Sequence, residues 1–148
     1  MPAVFEFFHR VAPHEIDVLG HANNVAYVQW MQDAALAHSA TQGWPAQRYQ
    51  DLGSGWVVRA HAITYHEPAR AGDEICVRTW VATMNRVTSL RRYRIYRATD
   101  QTLLAHAETN WAFVDYAGGR PKRVPAEIAA AFVLVPDSSP LPLGEGQG

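Results

Sequence analysis

A chain of 148 residues with a hydrophobic fraction of 48% is long enough to bury one core and too apolar to be a disordered segment. A formal net charge of -1 gives no global attraction to nucleic acid or an anionic membrane, and the single cysteine, Cys76, excludes an internal disulfide framework and a multi-cysteine zinc site. With no basic, apolar-cored leader and no apolar run near the roughly 20 residues that cross a bilayer, the sequence predicts a soluble protein of a reducing, cytoplasmic compartment.

Residues 4–12 are aromatic and apolar enough for a strand that Pro13 ends. From Val25 to Gln42 there is neither proline nor glycine, and Tyr27, Met31, Ala34, Ala35 and His38 recur at helical spacing. Asn23 or Asn24 can cap this helix, with Asn24 the favoured cap, and Gly43 and Pro45 end it. Val28, Trp30 and Leu36 lie off the apolar stripe, so the helix is expected to be covered on more than one side.

The second half reads as strands: Trp56–His66, then a run from Glu74 to Val81, then Arg91–Arg97, then Leu103–Val114 with the cleanest alternation. Turn signals at Asn85-Arg86 and at Thr99-Asp100-Gln101 separate the last three runs. Residues 125–132 suit a short helix. One domain is expected over 1–133, with a Pro/Ser/Gly-rich and disordered tail over 134–148. A strand, a long helix and four strands in meander style predict an α+β fold, with one apolar helix against a single antiparallel sheet.

The chemistry concentrates in Asp17-Val-Leu-Gly-His21-Ala-Asn23-Asn24-Val-Ala-Tyr27. Asp17 stands in a turn just before a helix start, where free amides and the positive end of the helix dipole point outward. Such a carboxylate either bonds its own loop backbone or faces a substrate as base or nucleophile. This segment resembles the hotdog-fold thioesterases, in the branch around 4-hydroxybenzoyl-CoA thioesterase and the acyl-carrier-protein thioesterases. Their pattern is an Asp, a short turn, His-x-Asn-Asn, two residues and a Tyr.

The resemblance spans roughly residues 4–132 and implies a curved antiparallel sheet wrapped around one long central helix. It implies hydrolysis of an acyl-CoA or acyl-carrier-protein thioester, with Asp17 as general base or nucleophile and helix-end amides polarising the carbonyl. His21 is the matching histidine, able to orient Asp17 or water, or to donate to the thioester oxygen; the other reading is a loop histidine that bonds only backbone. Asn23 and Asn24 divide between capping and substrate contact, and Tyr27 reads foremost as a core or interface aromatic. Gly55 matches the position of a carbonyl-polarising amide from the partner subunit, with Trp56 beside it as a pocket aromatic. Arg86 matches the family's basic hairpin and would meet CoA phosphates.

Leu19 departs from the acyl-carrier-protein branch, which typically has an asparagine there, so an Asp-centred scheme is the more natural one. The family pairs its subunits edge to edge, so a homodimer or homotetramer is expected, without cofactor or metal. Two alternatives remain: an enoyl-thioester hydratase/dehydratase, whose Asn-Pro element this chain lacks, and a non-catalytic acyl-thioester binding protein.

Overall fold

The computed structural model describes residues 3–136. Five strands, β1 (Phe5–Arg10), β2 (Ser54–Tyr65), β3 (Glu74–Met84), β4 (Thr88–Arg97) and β5 (Leu103–Asp115), form one antiparallel sheet in the order β1-β3-β4-β5-β2. Helix α1 (Asn24–Thr41) is the long central element, followed by a short α2 (Ala46–Leu52), and α3 (Ala126–Ala129) lies near the end. This is the α+β hotdog arrangement expected from the sequence.

One expectation about connectivity is corrected. The strands β3, β4 and β5 form a meander through two hairpins, but β2 pairs with β5 and not with its sequence neighbour β3. The run from His66 to Asp73 is therefore a crossover from one side of the sheet to the other. It leaves β1 and β2 as the two edges. Alternation along a strand sets which face is buried; it carries no information about which strand lies alongside.

The helix starts and stops where local chemistry requires. Gly43 follows its last turn at φ +94°, and its amide donates to Ala40 O at 3.1 Å. Ala26, Tyr27, Trp30, Met31, Ala34, Ala35, His38 and Ser39 are buried, which is the one-face spacing of a helix laid on a sheet. Trp30 joins that face and is fully buried, while Leu36 stays 55% exposed.

Two apolar clusters divide the length of the helix. Trp30, Met31, Ile75, Val77, Tyr93, Ile95 and Leu104 pack under its first half. Trp44, Tyr49, Val81, Phe113, Ile128 and Phe132 close the far end, where α2 and α3 sit. α2 escaped the sequence reading because seven residues offer too little periodicity to separate from a loop. Past α3, Leu134 bridges Val81, and the buried Val135 packs with Val4 and Trp80. The rest of the expected tail, from 137 on, lies outside the described residues.

Candidate active site

Asp17 sits in a tight hairpin that its own carboxylate helps to build. Its backbone amide donates to His21 O at 2.8 Å, and Gly20, at φ +81°, turns the chain and donates to Asp17 O at 3.0 Å. A side chain at position 20 would strain that left-handed turn. Oδ1 of Asp17 accepts from the amides of Leu19 (2.9 Å) and His21 (3.2 Å). Among the described residues nothing bonds Oδ2, and the residue is exposed. Loop anchoring and an open carboxylate oxygen thus coexist in one side chain. His21 meets Asp17 through its backbone amide; its ring makes no hydrogen bond among the described residues.

The hairpin is fastened from behind by the crossover. Ala22 N donates to Ala69 O at 2.7 Å, His21 bridges Arg70, and Tyr27 Oη accepts from Ala69 N at 3.1 Å. Tyr27 is 2% exposed, and its ring meets Tyr65 edge-on at 5.0 Å, so it is a core aromatic with a satisfied hydroxyl. Burial pushes its phenol above the ordinary value.

The cap of α1 corrects one expectation. Asn23, not Asn24, is the N-cap: its Oδ1 accepts from Ala26 N at 2.8 Å. An N-cap must hold extended backbone dihedrals while its side chain reaches an amide two or three residues on, and only Asn23 stands outside the helix. Asn24 is the exposed first residue of α1, and the amides of Asn24 and Val25 are unpaired among the described residues.

Glu15, two residues before Asp17, escaped the sequence reading. It is 8% exposed, accepts from Ala12 N and His9 Nε2 through Oε1 (both 2.9 Å), and accepts from Trp30 Nε1 through Oε2 (2.9 Å). Burial pushes its carboxyl up, but the bonds from Ala12, His9 and Trp30 outweigh this and hold it below its ordinary value. A buried acid with three donors is costly to displace, so Glu15 fixes the root of the Asp17 hairpin. A glutamate next to an apolar residue gives no period to detect. Only the contacts reveal it.

The remaining candidate residues lie elsewhere. Gly55 and Trp56 open β2, at the end opposite Tyr65, and β2 runs about 30 Å between them at strand rise. Arg86 is exposed in the β3–β4 hairpin, beside the same end of the sheet, since Thr88 pairs with Ala112 and Ala112 with Val57. Gly55 is a close approach: a side chain there would collide with the Tyr116 hydroxyl. The candidate residues therefore fall into two groups at opposite ends of the chain, Asp17, His21, Asn23 and the helix start at one, Gly55, Trp56 and Arg86 at the other.

A cavity of about 130 Å³ opens at this second end, between the last turns of α1, α2 and the sheet. Trp56, Trp111, Tyr49, Val81, Met84 and Phe132 give it apolar walls, and Arg91 is the cation among its lining residues. No group of three or more His, Cys, Asp or Glu among the described residues could hold a metal ion. No helix among them is long and apolar enough to cross a membrane.

The sequence and the fold have counterparts in known proteins. The acyl-CoA thioester hydrolase YbgC of Escherichia coli O6:H1 is 30% identical over 117 residues, 78% of this chain and 83% of that protein. Among solved structures, Slr0204 of Synechocystis, a 1,4-dihydroxy-2-naphthoyl-CoA thioesterase, superposes with a TM-score of 0.80 at 19% identity, covering 86% of this chain and 94% of that one. The protein SAV2348 of Staphylococcus aureus, solved in complex with CoA, gives a TM-score of 0.80 at 16% identity over 86% of this chain and 80% of that one. The model of the thioesterase-like superfamily matches residues 11–132, most of the chain and every candidate residue above, and the protein belongs to that superfamily.

Proposed function

We propose that the protein hydrolyses acyl-CoA thioesters to free acid and CoA, with Asp17 as general base or nucleophile. The observation that carries this reading is the Asp17 carboxylate, oriented through Oδ1 by two loop amides, before a helix start, with Oδ2 and the first helix amides unbonded among the described residues. An oriented carboxylate with one oxygen left open is the geometry that a base or nucleophile needs. A YbgC relative named for acyl-CoA hydrolysis and a fold neighbour that binds CoA support the substrate class. Acyl carrier protein is the other carrier compatible with the same chemistry.

The site works as a homodimer in this reading. β2 is an edge strand of twelve residues, Ser54–Tyr65, whose outer side pairs with no strand among the described residues. Twofold antiparallel pairing of two β2 edges sets the Gly55 end of one copy beside the Tyr65 end of the other. Tyr65 touches Tyr27, and the Asp17 hairpin is tied to the adjoining crossover. Pairing thus joins Asp17 of one subunit to Gly55, Trp56 and Arg86 of its partner. The amide near Gly55 then faces the thioester carbonyl, and Arg86 meets CoA phosphates. His21 completes this end by orienting Asp17 or water, or by donating to the thioester oxygen.

A thiol-release screen across short, long and aromatic acyl-CoAs tests the reading. Turnover that Arg86→Ala weakens chiefly through KM supports it. A chain that binds acyl-CoA in calorimetry yet releases no thiol is a binding protein, and one that hydrates crotonyl-CoA without thiol release is a hydratase.

A further inference from the structure

We propose that the cavity at the far end of α1 is an acyl subsite for a compact chain ending in a carboxylate, which pairs with Arg91. This rests on the thioesterase reading and names its substrate class.

Arg91 differs from its neighbours on β4. Arg92 and Arg97 face outward to acids, with Arg92 Nη1 at 2.9 Å from Glu108 and Arg97 Nε at 3.1 Å from Asp73. Arg91 points inward and is 5% exposed. Its Nη1 donates to His38 Nδ1 and to Thr79 Oγ1, both at 3.0 Å, and both partners are neutral acceptors. Nη2 and Nε make no hydrogen bond, and no carboxylate pairs with the guanidinium, among the described residues. A buried cation without an anion is costly, because the charge has left water and nothing of opposite sign replaces it.

The surroundings hold that charge in place instead of neutralising it. His38 accepts through Nδ1 and is kept neutral, its pKa lowered to about 3 by burial and by Arg91 itself. Its ring stacks on Phe5 at 5.2 Å and meets Phe132 edge-on at 5.4 Å, and Phe132 also lines the cavity. On the same wall Tyr49 Oη donates to Ser39 Oγ at 2.9 Å, and Ser39 Oγ donates to Trp44 O at 2.7 Å. Burial pushes the Arg91 guanidinium below its ordinary value, yet arginine keeps its proton in proteins, so it is held as a cationic fork with no carboxylate partner among the described residues and is suited to take one.

The walls decide what carries that carboxylate. Apolar and aromatic side chains with a volume of about 130 Å³ accept a group of roughly benzene size. Trp56, next to the amide proposed for the thioester carbonyl, forms one wall, so an acyl chain entering past Gly55 ends at Arg91. A short dicarboxylic monothioester satisfies both demands: methylenes against the rings, and one anion at the bottom.

The test compares succinyl-, glutaryl- and adipoyl-CoA with their length-matched monoacyl partners, butyryl-, valeryl- and hexanoyl-CoA. For at least one pair kcat/KM favours the dicarboxylic member by roughly tenfold or more, and Arg91→Met removes the preference. Arg91→Lys keeps part of it. A second arm titrates the free diacids and monoacids against the wild-type chain, followed by tryptophan fluorescence and thermal shift, so that a misfolded Arg91→Met leaves the question decidable. Diacids that stabilise the wild type more than monoacids support the subsite. Monoacyl preference in every pair, with no diacid binding, overturns it. Hydrolysis of monoacyl-CoAs that needs Asp17 but shows no diacid effect sinks the subsite alone; diacid binding without any hydrolysis sinks the thioesterase reading alone.

Discussion

Trp30 Nε1 donates to Glu15 Oε2 at 2.9 Å, and this bond ties a fully buried ring of the central helix to the segment that carries Asp17. His9 of β1 holds the other carboxylate oxygen, Oε1, at 2.9 Å, so sheet, helix and the Asp17 hairpin meet at one acid. Glu15→Ala leaves the indole and the Ala12 amide without an acceptor, and an expected loss of about 2–4 kcal/mol follows. Turnover falls with it because the root of the Asp17 hairpin loosens. Glu15→Gln, which keeps the shape and one good acceptor, loses less on both counts. Denaturant midpoints and thiol release measure the two effects, and an Ala variant as stable as wild type contradicts the anchoring role.

Acid stability has a readable shape. His38 is held at about 3 against an ordinary 6.5, so between those values the unfolded chain binds a proton that the folded chain refuses. Its contribution is complete above pH 6.5 and is lost as pH falls toward 3, at up to about 1.4 kcal/mol per pH unit. Glu15, held below its ordinary 4.5, adds a further loss only below that value. His61 and His106 are also lowered by burial and share the upper part of the slope. Urea midpoints measured from pH 7 to pH 4 on wild type and His38→Asn check this. A variant with the same slope as wild type assigns the proton elsewhere.

The collision between a side chain at Gly55 and the Tyr116 hydroxyl predicts a specific rescue. Gly55→Ala lowers the melting temperature, and Tyr116→Ala in the same chain recovers most of the loss. The coupling in a double-mutant cycle is expected at roughly 1–2 kcal/mol, since the two groups compete for one space. Additive effects count against the close approach.

Pairing of two β2 edges predicts which cysteines meet. A twofold axis through the middle of Ser54–Tyr65 brings Arg59 or Ala60 opposite its own copy. Cysteine substitutions from Val58 to Ala62, oxidised and run without reductant, give a covalent dimer at the central positions. The buried Cys76 of the wild-type chain gives none. Cross-linking through Phe8 on the β1 edge instead places the interface at the wrong strand.

Much of this fold was legible because local and long-range demands agree. α1 reads in the sequence to within a residue at each end, since an uninterrupted apolar stripe and Gly43 speak to the same boundaries. The β3–β4 and β4–β5 hairpins were legible from their turns. The placement of β2 against β5 was not, because pairing is settled by tertiary contacts that alternation does not encode. Asn23 and Asn24 could not be ranked reliably as caps, since one residue of helix start separates them. Within the site, Asp17 stood out through motif and turn chemistry. Glu15 and Arg91 did not, because their importance lies in which buried donors and acceptors surround them. Arg91 reads as one of four arginines on an alternating strand, and only the inward turn of its side chain sets it apart.

Asp17 carries the proposed chemistry, and Asp17→Asn tests that role most directly. Asparagine keeps an oxygen that can accept from Leu19 and His21, so the hairpin, the melting temperature and the oligomeric state should match wild type. What it removes is the charged oxygen. Thiol release from the best acyl-CoA in the screen is predicted to fall by about 10²–10⁴-fold, with substrate still bound. A folded Asp17→Asn chain that turns over acyl-CoA at near wild-type rate would contradict the account.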